Sequence, residues 1–164
     1  MAARLDDMPA LEADGDFRTM TYHDLKRVLE IEQSAYSHPW TIGIFRDCIR
    51  VGYNCWVLMQ DNDIAGYGII MLAAGEAHIL NICVAPQYQG QGLGRRILRF
   101  LVQRCALTGI DMVILEVRRS NRIAARLYQS EGFHELGVRK GYYPAQEGRE
   151  DAIIYARYIQ TESA

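Results

Sequence analysis

The spacing of apolar residues predicts four helices. In four stretches of the chain, apolar side chains recur three and four residues apart, as they do on one face of an α-helix. The predicted helices start after Thr21, after Thr41, at Leu93 and after Asn121. Threonine and asparagine are side chains that cap helix starts, and Gly132 follows the fourth helix as a typical C-terminal signal.

Runs rich in β-branched and aromatic residues predict seven strands. They cover residues 17–20, 53–60, 64–72, 77–84, 111–117, about 133–139 and about 152–159. Asp61-Asn62-Asp63 is a good hairpin connection between the second and third strands. The order β-α-α-β-β-β-α-β-α-β-β predicts an α/β fold, with a mixed central sheet of about seven strands covered by about four helices. We expect a flexible leader over residues 1–16 and a single domain over residues 17–164.

Composition and charge argue against several classes of protein. The formal net charge of −2 provides no global basic field, so no direct binding of nucleic acid is expected. No apolar run approaches the length of a membrane span, and the N-terminus lacks the apolar core of a signal peptide. The four cysteines lie far apart without a Cys-x-x-Cys pair, which argues against a metal site and for a reducing compartment. We predict a cytoplasmic protein without a metal.

The stretch "QYQGQGLG" (87–94) places three glycines at alternate positions between a predicted strand and a predicted helix. A helix start offers unpaired N–H groups and a partial positive charge, which attract an anion. Glycines remove the Cβ atoms where a phosphate would approach. The spacing matches neither a P-loop nor a dinucleotide fingerprint. A tight turn without a ligand is the alternative, but the position before a basic amphipathic helix favours a phosphate.

The segment "VAPQYQGQGLG" resembles the acyl-coenzyme A signature of the GNAT acetyltransferases, Gln/Arg-x-x-Gly-x-Gly/Ala, and "LEVRRSN" (115–121) and "AARLYQSEGF" (124–133) stand at that family's places. The resemblance implies the GNAT acyltransferase fold, with acetyl-coenzyme A as the acetyl donor. It further implies that main-chain groups of the glycine loop bind the pyrophosphate, while the preceding strand pairs with the pantetheine arm. The donor-binding residues implied in this way are Ile82, Cys83, Val84, Gln89, Gly90, Gln91, Gly92, Leu93, Gly94, Arg95 and Asn121.

Further segments narrow the resemblance to one branch of the GNAT family. "HPW", "NICV", "LYQSEGF", "YYP" and "GREDAIIYA" are similar to the enzymes that acetylate the N-terminal alanine of a small-subunit ribosomal protein, over roughly residues 17–159. This implies a ribosomal protein N-terminus as the acceptor, and we separately expect a monomer or weak dimer. Two alternatives remain open: an acetyltransferase of protein lysines or small amines, and a non-catalytic acyl-coenzyme A sensor or scaffold.

Two residues are candidates for catalysis. Glu116 ends a predicted buried strand, where a carboxylate is costly unless it is paired or useful. The resemblance implies that it is the general base, and an ion pair with a nearby arginine (Arg118, Arg119 or Arg122) is the alternative. The resemblance also implies that Tyr128 is the general acid that protonates the departing thiolate, whereas spacing alone suits a core aromatic. Direct transfer with this pair is the predicted mechanism.

Other groups around the predicted site have weaker claims. A main-chain N–H within residues 82–84 is implied as the donor to the thioester carbonyl, and Asn121 is expected both to cap a helix and to contact the donor. Cys83 as a covalent nucleophile and His78 as a base are less favoured alternatives.

The acceptor should enter a slot that is closed by two segments, the loop His38–Trp40 and a hairpin through Tyr142 and Tyr143. Acidic residues near that hairpin could attract a basic residue after the first alanine, or they could pair with Arg149. These acidic residues are Glu147, Glu150 and Asp151.

Overall fold

The computed structural model describes residues 16–159, which form one seven-stranded sheet with helices on both faces. The strands are β1 (Phe17–Thr19), β2 (Asn54–Gln60), β3 (Asp63–Ala73), β4 (Glu76–Val84), β5 (Met112–Arg118), β6 (His134–Pro144) and β7 (Arg149–Tyr158). The helices are α1 (Leu25–Ala35), α2 (Ile42–Arg50), α3 (Leu93–Ala106) and α4 (Arg122–Ser130). This order confirms the predicted succession of elements and the mixed α/β fold.

The sheet order is β1-β2-β3-β4-β5-β7-β6, and each neighbouring pair is antiparallel except β4 and β5. The parallel pairing is short, because only Glu76–Ile79 pairs with Met112–Leu115. Beyond that point β4 continues to Val84 and β5 to Arg118 without pairing to each other. Their facing edges are therefore open at the C-terminal ends of both strands, which positions the site described below.

Helices α1, α2 and α3 bury one face each against the sheet. On one side α3 inserts Ile97 and Leu101, which are fully buried, and on the other side α1 and α2 insert Val28 and Phe45. Burying an apolar side chain of this size contributes about 1.5–3 kcal/mol. All four residues belong to the periodic sets that predicted the helices, because the buried stripe and the sequence period have the same origin.

Two predicted helix caps are confirmed as hydrogen bonds. The Thr41 hydroxyl accepts from the Ile44 N–H at 3.4 Å, and the Asn121 side-chain oxygen accepts from the Ala124 N–H at 3.2 Å. Gly132 ends α4 with a φ of +85°, a left-handed conformation that favours glycine. Caps are contacts between residues close in sequence, which is why the chain alone reveals them.

Two element boundaries differ by a few residues from the prediction. A 3₁₀ turn over Tyr22–Asp24 follows Thr21, so that α1 begins only at Leu25. In the β2–β3 hairpin, Asp61 and Asn62 have φ values of 53° and 59°, and they form the turn by themselves. The third predicted turn residue, Asp63, pairs with Gln60 and belongs to β3.

The last hairpin is longer than predicted. β6 and β7 pair out to Pro144 and Arg149, whereas the predicted strands covered about 133–139 and 152–159. A register shift after Arg139 interrupts the alternation, and most of β6 is exposed at the edge of the sheet. A bulged edge strand has no regular apolar pattern, so its length was not visible in the sequence.

Most of the predicted leader, residues 1–15, lies outside the described residues. Asp16, its last residue, contacts β2 and α3: its carbonyl accepts from the Met59 N–H of β2 at 2.8 Å, and its carboxylate pairs with Arg96 of α3 at 2.7 Å. No helix between residues 16 and 159 is both long enough and apolar enough to span a membrane.

Candidate active site

The open edges of β4 and β5 border a cavity of about 530 Å³. Its walls also come from α1 and the loop that follows it, from α4 and from the β6–β7 hairpin. The cavity exists because strand pairing stops at Ile79 and Leu115, which leaves room between two strands that would otherwise be hydrogen bonded. Glu116, Asn121 and Tyr128, three of the predicted site residues, all line it.

β4 directs main-chain groups toward the gap. The Ile82 carbonyl accepts from the Tyr36 hydroxyl at 2.7 Å, and the Val84 carbonyl accepts from the Gln89 side-chain amide at 3.1 Å. Both carbonyls therefore point away from β3. In an extended strand the N–H and C=O of one residue leave on the same side. The N–H groups of Ile82 and Val84 consequently face the gap, as expected for a strand that presents donors to a ligand.

The main-chain N–H and C=O of Cys83 face β3 and not the gap. Two residues further on, and on the same side of the strand, the Ala85 N–H donates to the Ala65 carbonyl of β3 at 2.7 Å. The Cys83 thiol is buried, and burial raises its pKa to about 12. A thiol attacks as the thiolate, so these surroundings argue against a covalent acetyl-enzyme at Cys83.

The glycine loop exposes its main chain at two positions. Gly90 and Gly92 have φ values of 79° and 77°, and a Cβ atom built on either would meet nothing within 4 Å. Gly92 immediately precedes the first turn of α3. Gly94 differs from these two, because its φ is not positive and a Cβ atom there would lie in ordinary van der Waals contact, 3.7 Å from Leu127 of α4.

The neighbouring side chains of the loop are engaged elsewhere. Gln91 accepts a hydrogen bond from Gln60 at 3.2 Å, Leu93 is buried, and Arg95 forms an ion pair with Glu131. What the loop offers around Gly90 and Gly92 is therefore its main chain at the start of a helix, the arrangement that suits an anion.

Glu116 is nearly enclosed at the cavity wall, with 10% of its side chain exposed. One carboxylate oxygen lies 3.2 Å from Nε of Arg139 and 3.8 Å from Nε2 of His78. Burial and the nearby Glu116 carboxylate raise the pKa of Tyr142. Among residues 16–159, no group of three or more His, Cys, Asp or Glu side chains is arranged to bind a metal ion.

Glu116 does form an ion pair, but its partner is Arg139 and not one of the arginines that the sequence suggested. Arg118 pairs with Glu150 at 3.3 Å and Arg119 with Asp151 at 3.5 Å, so these two arginines are not the cations beside Glu116. Glu116 and Arg118 lie on the same face of β5, but Arg118 extends to the β6–β7 hairpin, where Glu150 is its partner, so the predicted pairing was wrong for this arginine.

Tyr128 is both a packed aromatic residue and a residue of the cavity wall, so neither prediction for it is contradicted. Its ring packs near Phe133 and Tyr155, with centroids 6.0 and 6.3 Å away, while the residue also lines the cavity. Burial raises the pKa of Tyr128 to about 12, so the hydroxyl keeps its proton throughout the physiological range. Asn121 likewise caps α4 and lines the cavity.

Two segments form the rim of the cavity, as expected for the acceptor slot. The loop between α1 and α2 (residues 36–41, the α1–α2 loop) contributes Tyr36, His38 and Trp40, and the β6–β7 hairpin contributes Tyr142 and Tyr143. Aromatic side chains thus face the cavity from both sides.

Two of the three acidic residues of the hairpin, Glu150 and Asp151, form contacts within the protein. Glu150 accepts from the Ser120 N–H at 2.6 Å in addition to its pairing with Arg118, and these contacts lower its pKa. Asp151 accepts from the Gly141 N–H at 2.9 Å. The suggested pairing of these acids with Arg149 is not observed, since Arg149 donates to main-chain carbonyls of the hairpin. For Glu150 and Asp151 the predicted attraction for a basic acceptor residue therefore loses its structural support, whereas for the exposed Glu147 it stays a prediction.

The family model of the acetyltransferase (GNAT) family matches residues 25–133, which span the glycine loop, β5 and α4. The chain belongs to the GNAT family. Its seven-stranded sheet and four helices are the GNAT fold, as the resemblance predicted.

Individual relatives indicate which members of the GNAT family the chain is similar to. The chain is 41% identical over 133 residues to the ribosomal protein bS18-alanine N-acetyltransferase of Escherichia coli, covering 81% of this chain and 90% of that protein. It is 39% identical over 143 residues to the Haemophilus ducreyi protein of the same name, covering 86% and 98%. The crystal structure of the E. coli ribosomal-protein-S18-alanine N-acetyltransferase superposes with a TM-score of 0.84 at 38% identity, covering 90% of this chain and 95% of that one.

Sequence reasoning missed three residues of this GNAT site. Arg139 contacts Glu116 from a bulged edge strand, Tyr36 reaches the Ile82 carbonyl, and the buried Glu32 of α1 lines the cavity. Only Glu32 carried a usable signal, because it is an acidic residue beside the apolar stripe of an amphipathic helix.

Proposed function

We propose that this chain transfers the acetyl group of acetyl-coenzyme A to the α-amine of the N-terminal alanine of a small-subunit ribosomal protein. The observation that carries the proposal is the convergence of Glu116, Tyr128 and the open edge of β4 on one cavity. The names of the E. coli and H. ducreyi relatives support the acceptor. Such an acceptor is consistent with a cytoplasmic enzyme.

The donor side fits an acyl-coenzyme A. The main chain around Gly90 and Gly92 suits the pyrophosphate, because no Cβ atom obstructs it and a helix begins there. The outward N–H groups of Ile82 and Val84 suit the amide-containing arm and the thioester carbonyl. An N–H that is already in place when negative charge develops on the carbonyl oxygen stabilises the transition state.

Glu116 is proposed to receive the proton of the acceptor amine, directly or through water. An α-amine has a pKa of about 8, so only about a tenth of it is neutral at pH 7. A carboxylate at the cavity wall favours entry of the cationic amine and then takes up its proton. Arg139, at 3.2 Å, holds the carboxylate in place and partly offsets its charge.

Tyr128 is proposed to donate a proton to the departing thiolate. An ordinary thiol has a pKa of about 8.5, whereas burial raises that of Tyr128 to about 12. The phenol therefore stays protonated at neutral pH and donates a hydrogen bond as sulfur takes up charge. Transfer of the proton to sulfur leaves a phenolate that the same apolar surroundings disfavour, so Tyr128 must regain a proton, and the proton released by the acceptor amine balances the step.

A pair of peptides tests the acceptor against its main alternative. The enzyme is given a peptide with a free N-terminal alanine and internal lysines, and the same peptide with its α-amine blocked, and release of coenzyme A thiol is measured. We expect acetylation of the free peptide and little of the blocked one. Equal acetylation of both would identify a lysine acetyltransferase. No thiol release with either peptide, together with tight binding of acetyl-coenzyme A, would favour a non-catalytic sensor.

A further inference from the structure

A buried carboxylate lines the cavity next to the α1–α2 loop. Glu32, on α1, is 2% exposed and accepts three hydrogen bonds. Oε1 accepts from the Trp40 main-chain N–H at 3.1 Å, and Oε2 accepts from the Asn81 side-chain amide at 3.0 Å and from the Tyr67 hydroxyl. Three donors therefore satisfy one buried carboxyl group. A charged group in such a place costs more than an apolar side chain of the same size, which points to a purpose beyond packing.

Two of the three donors, Trp40 and Asn81, line the cavity, and the third, Tyr67, lies on the neighbouring strand β3. Trp40 lies in the α1–α2 loop, and Asn81 follows the register shift in β4, next to the outward-facing Ile82. The Tyr36 hydroxyl, at the start of the same loop, donates to the Ile82 carbonyl. The α1–α2 loop is thus attached to β4 at both ends, once through Glu32 and Asn81 and once through Tyr36 and Ile82.

We infer that Glu32 is a positioning residue for the acceptor, an inference that rests on the proposed function. It fixes the α1–α2 loop against the part of β4 that faces the donor, and so sets where the acceptor amine can lie relative to Glu116. Loss of this attachment lets the rim of the cavity move without altering the glycine loop. Acceptor binding should therefore weaken while donor binding is unchanged.

Two substitutions separate the hydrogen bonds of Glu32 from its volume. Glu32→Leu keeps a similar size but has no acceptor atom. Glu32→Gln keeps one acceptor oxygen, which can serve Trp40, because the main-chain N–H is fixed while the Tyr67 hydroxyl and the Asn81 amide can rotate. Glu32→Leu loses all three hydrogen bonds, of which the one from the Trp40 N–H holds the α1–α2 loop, and we expect the loss of this loop contact to raise the KM for an alanine peptide about 10-fold. Glu32→Gln should recover most of this loss, and the KM for acetyl-coenzyme A should change less than about twofold in both.

Asp24→Asn is the matched control. Asp24 is also a buried carboxylate, 8% exposed, and accepts from Arg18 and Thr21, but it does not line the cavity. This variant should lose stability and leave both KM values unchanged. An equal rise of the peptide KM in Asp24→Asn and Glu32→Leu would overturn the inference, as would an unchanged peptide KM in Glu32→Leu. If Glu32→Leu does not fold, Tyr36→Phe removes the second attachment and must raise the peptide KM.

Fluorescence of Trp40 provides a readout that does not need activity. The chain has two tryptophans, and Trp56 packs against Phe100 on the other face of the sheet, so a Trp56→Phe background leaves Trp40 as the single reporter. In that background Glu32→Leu should increase acrylamide quenching of Trp40, and unchanged quenching would overturn the inference. If the wild-type enzyme acetylated no alanine peptide, the proposed function would fail, yet quenching would still decide whether Glu32 holds the loop.

Discussion

Replacement of Gly92 by alanine separates ligand binding from turn geometry. Gly92 has a φ of 77°, and a Cβ atom there would meet nothing within 4 Å, so the substitution causes strain but no clash. An L-residue in the left-handed region costs about 1–2 kcal/mol. For a domain of this size, each kcal/mol lowers Tm by roughly 2–4 °C. The expected loss is therefore about 2–8 °C in Tm, with the fold retained.

Gly52 is a matched control within the same chain. It has a φ of 86° with nothing within 4 Å of its Cβ position, and it lies between α2 and β2, outside the cavity lining. Gly52→Ala should cost the same 1–2 kcal/mol of strain, about the same loss of Tm, because the backbone conformation and the free space are equivalent. Differential scanning calorimetry measures both losses.

Only Gly92→Ala should affect the donor. Its methyl group occupies the space in which a phosphate approaches the main chain, and we expect the Kd for acetyl-coenzyme A to rise about 10-fold, which corresponds to about 1.4 kcal/mol. Isothermal titration calorimetry measures this Kd in both variants. If Kd is unchanged in Gly92→Ala despite the loss of Tm, Gly92 serves the turn alone and the loop is not the pyrophosphate site.

Three further predictions concern catalysis and stability. Glu116→Gln should lower the turnover of an alanine peptide about 10²–10⁴-fold at neutral pH, with recovery in a pH–rate profile as the amine loses its proton above about pH 8; a loss below threefold would contradict the role of base. Tyr128→Phe should lower turnover without that recovery. Because the Tyr128 pKa is raised to about 12, wild-type activity should not fall with an apparent pKa near 10, the value of an ordinary phenol. Phe45→Ala removes a fully buried ring and should cost about 3–5 kcal/mol in urea unfolding, whereas Ile123→Ala, at an 85% exposed position, should cost less than about 0.5 kcal/mol.

The sequence by itself determined the features that depend on neighbours along the chain. Thr41 and Asn121 cap the helices that follow them, and the glycines at 90 and 92 take the left-handed conformation before α3. Apolar periodicity identified the helices and most strands, since the side-chain period follows from the backbone geometry of each element. The family resemblance, which also depends on short segments, led to the confirmed GNAT fold.

Only the tertiary structure decided which distant side chains meet. Arg139 reaches Glu116 across β7, and Glu32 finds its donors on two strands and on the α1–α2 loop. These contacts depend on strand order, on register shifts in β4 and β6, and on the point where β4 and β5 stop pairing. The local pattern of apolar and polar residues does not predict these features, because strand pairing depends on how the whole sheet packs. The residue types of the site were therefore readable from the chain, whereas their ion pairs and the shape of the acceptor slot were not.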